Sequence, residues 1–356
     1  MTGTSPFLRA AAAVCALLLC APAADADSER SIVLLNWSDY IDQALINEFS
    51  AETGIGVQQV YYANDTDRDA IVAQSDPGEF DVVIMSGDRL QLLSDAGWLA
   101  PIGEQEVPNA SHIDDEWRTL FAPAGEYALP MSWGTVGIAY RRDMLSRPID
   151  SWSDVFEPTE ELCGRLWMFA DGRENFEIAL LALGVDESDP TPAELDAARQ
   201  LLMHQRDCVA AYDYPDITED SQLIAGEIAA ALVYSGDAVY FANREDRIEY
   251  VLPDDRTILW VDHYTVPASS TRKSEAYAFI DFMNRPGNAA RLAETLWFLS
   301  PNRPARSLMS ANVLRHPTIA LPADVERMVE QPRSAGTLRS INLITAELWS
   351  IEGVRP

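Results

Sequence analysis

The chain has 356 residues, too many for one comfortable hydrophobic core, so two lobes of roughly 100–200 residues each are expected. With 47% apolar residues, nine Trp and twelve Tyr it can bury a substantial core, which excludes a disordered chain. The net charge of −30, with Lys273 the only lysine, excludes a nucleic-acid partner, which would need a basic footprint; it suits a cationic ligand, although acidity by itself mostly means solubility.

Residues 1–26 read as a secretory signal. Arg9 is the only charge ahead of an unbroken apolar run, Ala10 to Ala21, and small residues follow with cleavage options at Ala21-Pro22-Ala23 and Ala24-Asp25-Ala26. The run is too short to span a bilayer, and no later segment approaches ~18 uninterrupted apolar residues, so the expected mature protein is exported and soluble. "LLLC" ending at Cys20 has the look of a lipid-attachment site, but Leu19 before it is bulkier than such a site prefers. Cys163 and Cys208 then remain as an even pair in an oxidising compartment. Each precedes a strand-like run, "GRLWMF" and "VAAYDY", and two parallel neighbouring strands would bring those starts together. A disulfide is one expectation and two buried thiols the other.

Past the signal, strands and helices alternate. "SIVLLNW" is a strand, "DQALINEFSAETG" an amphipathic helix with Leu45, Ile46 and Phe49 on one side and Gly54 as its stop, and "GVQQVYYA" the next strand. A helical "DTDRDAIVAQ" leads to "FDVVIM", apolar on successive residues as in a strand buried on both faces, and Ser86-Gly87-Asp88 opens the helix "RLQLLSDAG". "GEYALPMSWGTVGIAYRRDML" is extended and crosses between lobes. A second series follows: the strand "RLWMFA", the helix "ENFEIALLALG", and "TPAELDAARQLLMHQ", capped by Thr191 with Pro192 and Glu194 behind it. Then come "VAAYDY", a helical "SQLIAGE", the strand "IAAALVYSGD" and the extended return "TILWVDHYTVP". "KSEAYAFIDFMNRP", "GNAARLAETLWF" and the tail from Pro322 are helical. This rhythm predicts an α/β, two-lobed architecture, each lobe a mostly parallel sheet flanked by helices, with crossings near Trp133, Tyr264 and Asn302. The expected division is 27–135 plus 265–305 for the first lobe and 136–264 plus 306–356 for the second, with the ligand cleft between them.

Ligands of open parallel sheets bind beyond the carboxyl ends of the strands. Those ends carry Trp37, Ser38, Asp39 and Tyr40; Ser86; Asp171 and Glu174; Tyr234 and Asp237; Trp260 and Asp262; and Phe298. Aromatic plus carboxylate thus recurs at strand ends far apart in sequence. Carboxylates replace the hydration of an ammonium at ~1.5–3 kcal/mol per charge-assisted hydrogen bond. Aromatic faces attract a cation by roughly 0.5–2 kcal/mol each and cover methylenes at ~0.8 kcal/mol per CH₂. A slot with both fits an aliphatic di- or polyamine; an amino acid would also need an Arg or a helix N-terminus for its carboxylate, and Arg173 is the one Arg candidate. Each residue also has a plainer reading. Asp39, Asp171 and Asp237 can be helix N-caps, Ser86 a cap, Glu174 an exposed first-turn residue and Trp37 core. Asp262 is harder to explain so, because no helix begins after it.

These segments resemble the periplasmic polyamine-binding proteins, of spermidine/putrescine type, that serve ABC importers. "NWSDYI" with "FSAETGIGV", then "FDVVIMS", "LPMSWGTVGIAY", "DSWSDVFEP", "SGDA", "WVD" and "EAYAFIDFMNRP" follow in the family's order and spacing over nearly the whole mature chain. The resemblance implies a type II periplasmic-binding-protein fold, a periplasmic, monomeric, non-enzymatic receptor without a cofactor, and an ABC permease as partner. It makes Trp37, Tyr40, Tyr234, Trp260 and Phe298 aromatic walls, Ser38, Asp39 and Ser86 polar contacts, and Asp171, Glu174, Asp237 and Asp262 the acidic ones. Phe298 stands where a Tyr is frequent, Tyr234 where a Trp is, and Met85 where a Pro is; the two aromatic changes bear on diamine against triamine preference. The alternatives are a glycoside hydrolase with paired carboxylates, or the same fold retuned to sugar or, through Tyr61 and Tyr62, to iron. "YSGD" is not a nucleophile elbow, and His112, His204, His263 and His316 lack metal or triad spacing.

Overall fold

Ten strands form one continuous mixed, mostly parallel sheet system in the computed structural model, which describes residues 30–185, 189–253, 257–316, 319, 327–329 and 333–350. The expected signal, residues 1–26, lies outside them. In chain order the strands are β1 (Ser31–Trp37), β2 (Gly56–Tyr62), β3 (Val82–Ser86), β4 (Ala128–Arg141), β5 (Leu166–Met168), β6 (Val209–Tyr212), β7 (Ala230–Tyr234), β8 (Ile248–Val251), β9 (Thr257–Thr265) and β10 (Arg327–Val329). Their order is β2-β1-β3-β9-β4-β7-β5-β6, with β8 beside β4 and β10 beside β9. The outer pairs β1–β2, β1–β3, β5–β7 and β5–β6 are parallel, and the long central strands pair antiparallel.

The helices form where the pattern predicts. Gln43–Thr53 turns Leu45, Ile46 and Phe49 inward, each worth about 1.5–3 kcal/mol of burial, and stops at Gly54, whose φ of 68° suits a residue without Cβ. Its N-cap is Asp42, not Asp39. Pro192–Gln205 carries the full Thr191/Glu194 capping box. Two segments differ from expectation. "IAAALVYSGD" does not stay extended: β7 ends at Tyr234 and Ser235–Ala242 is a helix, with Ser235, Gly236, Ala238, Val239 and Phe241 all buried. The tail from Pro322 is not helical throughout, since Arg327–Val329 pairs with β9 and the helix spans Ala335–Ser350.

β4 and β9 run through both lobes. Trp133 belongs to a first core built on Leu34, Phe49, Ile84 and Phe279, and Val136 to a second built on Trp152, Phe156, Phe176 and Leu232. On β9, Ile258 and Trp260 face the second core while Leu259 and Val261, on the opposite face of the strand, and Tyr264 belong to the first. Phe298 packs in the second core, and Leu299, packed against the first, bridges to Trp133. Ala289, Ala293, Ala305 and Met309 form a smaller cluster with Val239.

Cys163 and Cys208 are joined. Leu166 pairs with Val209 at the starts of the parallel strands β5 and β6, which brings the two cysteines together at the end of the sheet opposite Asp171 and Tyr214. The bridge closes a separation of 45 residues. Replacing both cysteines by serine is therefore expected to cost ~2–4 kcal/mol in urea unfolding while leaving solute affinity within about twofold. A large affinity loss at unchanged stability would contradict this separation.

Candidate functional site

Asp262 lies in the middle of β9, in register with Ser86 of β3 on one side and Ser132 of β4 on the other. It is 6% exposed. The Tyr40 hydroxyl, which stands 3.1 Å from Ser132 Oγ, donates to its carboxylate. Two more carboxylates are held in the same way. Tyr234 donates to Glu174, and Tyr214 donates to Asp237 at 2.6 Å and itself accepts from the Tyr234 backbone N–H at 3.0 Å. Among the described residues none of the three is ion-paired to an Arg or Lys.

The rings between these acids form an unbroken series. Trp37 meets Tyr40 at a centroid distance of 5.1 Å, Tyr40 meets Phe298 at 6.1 Å, Phe298 meets Trp260 at 4.7 Å and Trp260 meets Tyr234 at 6.1 Å. Tyr62 extends it behind Trp37, and Tyr214 and Phe169 stack behind Tyr234. Most of these contacts are edge-on or tilted, the arrangement ring quadrupoles favour. Two glycines make room: a Cβ on Gly134 would stand 2.4 Å from the Trp260 ring, and one on Gly236 2.6 Å from the Phe298 ring. Tyr40 touches both cores, so the series joins the lobes.

The remaining acids are more tightly tied. Asp171 caps the helix Gly172–Ala182, accepting from the Arg173 N–H at 2.8 Å, and its other oxygen accepts from Thr66 of the opposite lobe at 3.1 and 3.4 Å. Its N-cap role and its place in the cleft therefore coexist. The Ser86 side chain makes no cap hydrogen bond: its hydroxyl lies 2.6 Å from Asp65 and 2.7 Å from Asp88, and donates to one of them at a time. Glu174 is not an exposed first-turn residue, and Asp237 is no N-cap but sits inside the first turn of Ser235–Ala242. Ser38 and Asp39 are exposed and bond each other at 3.2 Å, Asp39 with a φ of 55°; neither is hydrogen-bonded to the acids of the cleft. Trp37 is half-buried, packed on the first core and joined to the ring series.

Burial raises Asp262, Asp237, Glu174 and Asp171. Asp262 is pushed up to about 7, chiefly by loss of water and further by Asp65, against the Tyr40 hydrogen bond. Asp237 rises to about 6 for the same first reason, with Tyr214 opposing. Glu174 and Asp171 are both raised, by burial and then by neighbouring carboxylates, Asp171 for Glu174 and Asp65 for Asp171. The three tyrosines are raised too, by burial and then by their carboxylates, so they remain donors. His263, on the opposite face of β9, is lowered to about 3 by burial and meets the edge of Phe121, which makes it a neutral core residue. Tyr62 gives its hydroxyl to the Ile84 carbonyl while Tyr61 is 49% exposed, so these tyrosines cannot converge on an iron. No three His, Cys, Asp or Glu among the described residues could hold a metal.

A family model described as bacterial extracellular solute-binding protein matches residues 44–320. The chain belongs to that family. This solute-binding protein is 30% identical over 329 residues to the spermidine/putrescine-binding periplasmic protein of Escherichia coli, covering 92% of this chain and 93% of that one. It is 28% identical over 307 residues to the norspermidine sensor of Vibrio cholerae, covering 85% and 84%. A solved structure from Listeria monocytogenes aligns with a TM-score of 0.82 at 27% identity, covering 90% of this chain and 99% of that one. The family binds solutes and is not enzymatic, which removes the glycosidase alternative. No helix among the described residues is long and apolar enough to cross a membrane.

Residue-by-residue reading missed Tyr214, Phe169, Ser132 and Asp65. Tyr214 lies two residues past β6, where the strand-end rule would have found it had "VAAYDY" not been read as strand to its last residue. Ser132 and Asp65 carry no sequence signal, since their partners are remote in the chain.

A raised carboxyl binds its proton more tightly folded than unfolded. Between the ordinary carboxylate range and about pH 7 the solute-free fold therefore loses stability as pH rises, and regains it as pH falls. For Asp262 the penalty above pH 7 is roughly 2–4 kcal/mol. Asp262→Asn should therefore raise the melting temperature of solute-free protein at pH 8 and leave it nearly unchanged at pH 4. An equal effect at both pH values would rule out an uncompensated charge at this position.

Proposed function

We propose that this solute-binding protein captures a protonated polyamine, putrescine or spermidine, in the cleft between its lobes and hands it to the permease of an ABC transporter. In this reading it is an exported, periplasmic monomer, and the lobes divide near 135 and 264 and again near 305. The observation that carries the reading is the pairing of three tyrosine-held carboxylates, none with a cation, to one continuous series of rings. Each acid lacks the countercharge that an ammonium brings, and the ring faces suit both the cation and the methylenes between charges. The names of the relatives point the same way.

Arg173 weakens the amino-acid alternative. Its guanidinium is already engaged by Asp69, Asp65 and Asp171, at 3.2, 3.9 and 3.7 Å, and is not free to receive a carboxylate. Trp37, Tyr40, Tyr234, Trp260 and Phe298 act as walls in this assignment. Ser86 orders the acids, Glu174, Asp237 and Asp262 receive ammonium groups, and Asp171 positions Glu174. Ser38 and Asp39 act at the rim.

Titration of refolded, solute-free protein with putrescine, spermidine, cadaverine, arginine and glutamate tests the proposal. Amines should bind and the amino acids should not; heat from glutamate with none from any amine would overturn it. Asp262→Asn should cost ~2–5 kcal/mol of amine binding, because it removes one partner of a buried charged pair.

Because the bound cation favours the ionised acids, amine binding should expel protons below about pH 7. Affinity should then fall as pH drops from 8 to 5, and the apparent binding enthalpy at pH 6.5 should depend on the ionisation enthalpy of the buffer. Affinity independent of pH over that range would show that the acids do not meet the ligand.

A further inference from the structure

We infer that Arg173 is a closure latch: from the second lobe its guanidinium enters an aspartate pair of the first, and this bridge helps to hold the lobes shut over the bound solute. The inference rests on the cleft reading above but concerns a residue that does not itself meet the ligand.

Arg173 Nη1 lies 3.2 Å from Asp69 Oδ2, and its Nη2 3.9 Å from Asp65 Oδ2. Both aspartates sit on the helix Asp65–Gln74 of the first lobe, and they are set in place by that lobe alone. Arg68 pairs with Asp65 at 2.6 Å and with Asp69 at 2.8 Å, Ser86 bonds Asp65 at 2.6 Å, and Arg89 Nε approaches Asp69 at 3.4 Å. Arg173 is the only cation that reaches this group from the second lobe among the described residues. Two residues away, Asp171 accepts from Thr66 on the same first-lobe helix, so the N-terminal turns of two helices in different lobes are joined at neighbouring points.

Where the lobes part beside this bridge there is a cleft of about 380 Å³, lined by Asp69, Arg89 and Leu92 from one side and Arg173, Leu338 and Leu343 from the other. Arg173, 9% exposed, and Asp69 both line this cleft, so the bridge borders solvent. A contact present only in the closed form multiplies apparent affinity by its effect on the closed population, and it acts on solute release. Arg173 is thus a positioning residue. Asp69, 43% exposed and outside the ring series, is its partner.

The test is a double-mutant cycle on full-length mature protein with putrescine and spermidine as probes. R173Q, D69N and the double variant are compared for dissociation rate, followed by tryptophan fluorescence, and for the radius of gyration of solute-free protein, with melting temperature to check folding. Each single variant should speed dissociation on the order of tenfold, and the double variant no more than the worse single. Solute-free R173Q should be measurably more open than the wild type. Dissociation rates within twofold of wild type, or effects of the two variants that multiply independently, would overturn the latch. If the wild type binds no amine, the functional reading fails on its own. The latch is then judged by scattering, and identical dimensions for wild type and R173Q would overturn it.

Discussion

Asp262 sits on a strand shared by both lobes, flanked in register by two serines, with a tyrosine hydroxyl as its closest polar partner and no cation bonded to it. Placing a carboxylate there costs folding energy, since water is removed and nothing of opposite charge replaces it. The rest of the cleft is arranged to make that cost tolerable without cancelling it. A tyrosine hydroxyl satisfies one lone pair and leaves the charge in place, whereas an arginine would have removed the demand for a ligand. The repetition of this device at Glu174 and Asp237, in the first turns of the helices that follow the parallel strands β5 and β7, argues that the fold holds these acids in want of a cation.

Why Arg173 does not quench Glu174 follows from helix geometry. Adjacent residues on a helix diverge by about 100°, so neighbours in sequence face different surroundings. Glu174 turns toward Tyr234, and Arg173 turns across to the aspartates of the helix Asp65–Gln74. The acids of the interlobe region thus sort into two sets. Asp65, Asp69 and Asp88 are matched by Arg68, Arg89 and Arg173, and serve to join elements; Glu174, Asp237 and Asp262 are left unmatched. Only the second set gains from an incoming ammonium.

Much of this was legible in the sequence because the strand-end rule concerns local order. Trp37, Tyr40, Ser86, Asp171, Glu174, Tyr234, Asp237, Trp260, Asp262 and Phe298 all follow or close strands, and the alternation of strand and helix that identifies those ends is strongly periodic. What was illegible depends on contacts between remote segments. Tyr214 with Asp237, Thr66 with Asp171 and Asp69 with Arg173 each join positions that nothing local marks as partners. The helix Ser235–Ala242 was hidden for a different reason. It is packed so deeply that its exposed face is too narrow to leave a polar stripe, and periodicity then cannot separate it from the strand before it. Ser38 and Asp39 show the limit of the local rule, since a strand end can also turn outward, as the positive φ at Asp39 makes it do.

β4 and β9 carry the argument one step further. They are the two strands that pass through both cores, and on β9 Trp260 packs in the second core between Leu259 and Val261 of the first, in register with Gly134 of β4. The ring that stands between Tyr234 and Phe298 is therefore anchored at the point where the two lobes share backbone, the part of a two-lobed molecule that moves least when the lobes swing apart. Asp262, two residues on, is anchored with it, while Glu174 and Asp237 belong wholly to the second lobe and the Tyr40 hydroxyl comes from the first. Opening would then keep Trp260 with Tyr234, Phe298, Glu174 and Asp237, and keep Asp262 with Tyr40 and Ser86, so that a solute first meets one half-site and the other reaches it only on closure. That ties the contacts of the second half-site to the closed state, so that solute binding itself shuts the cleft.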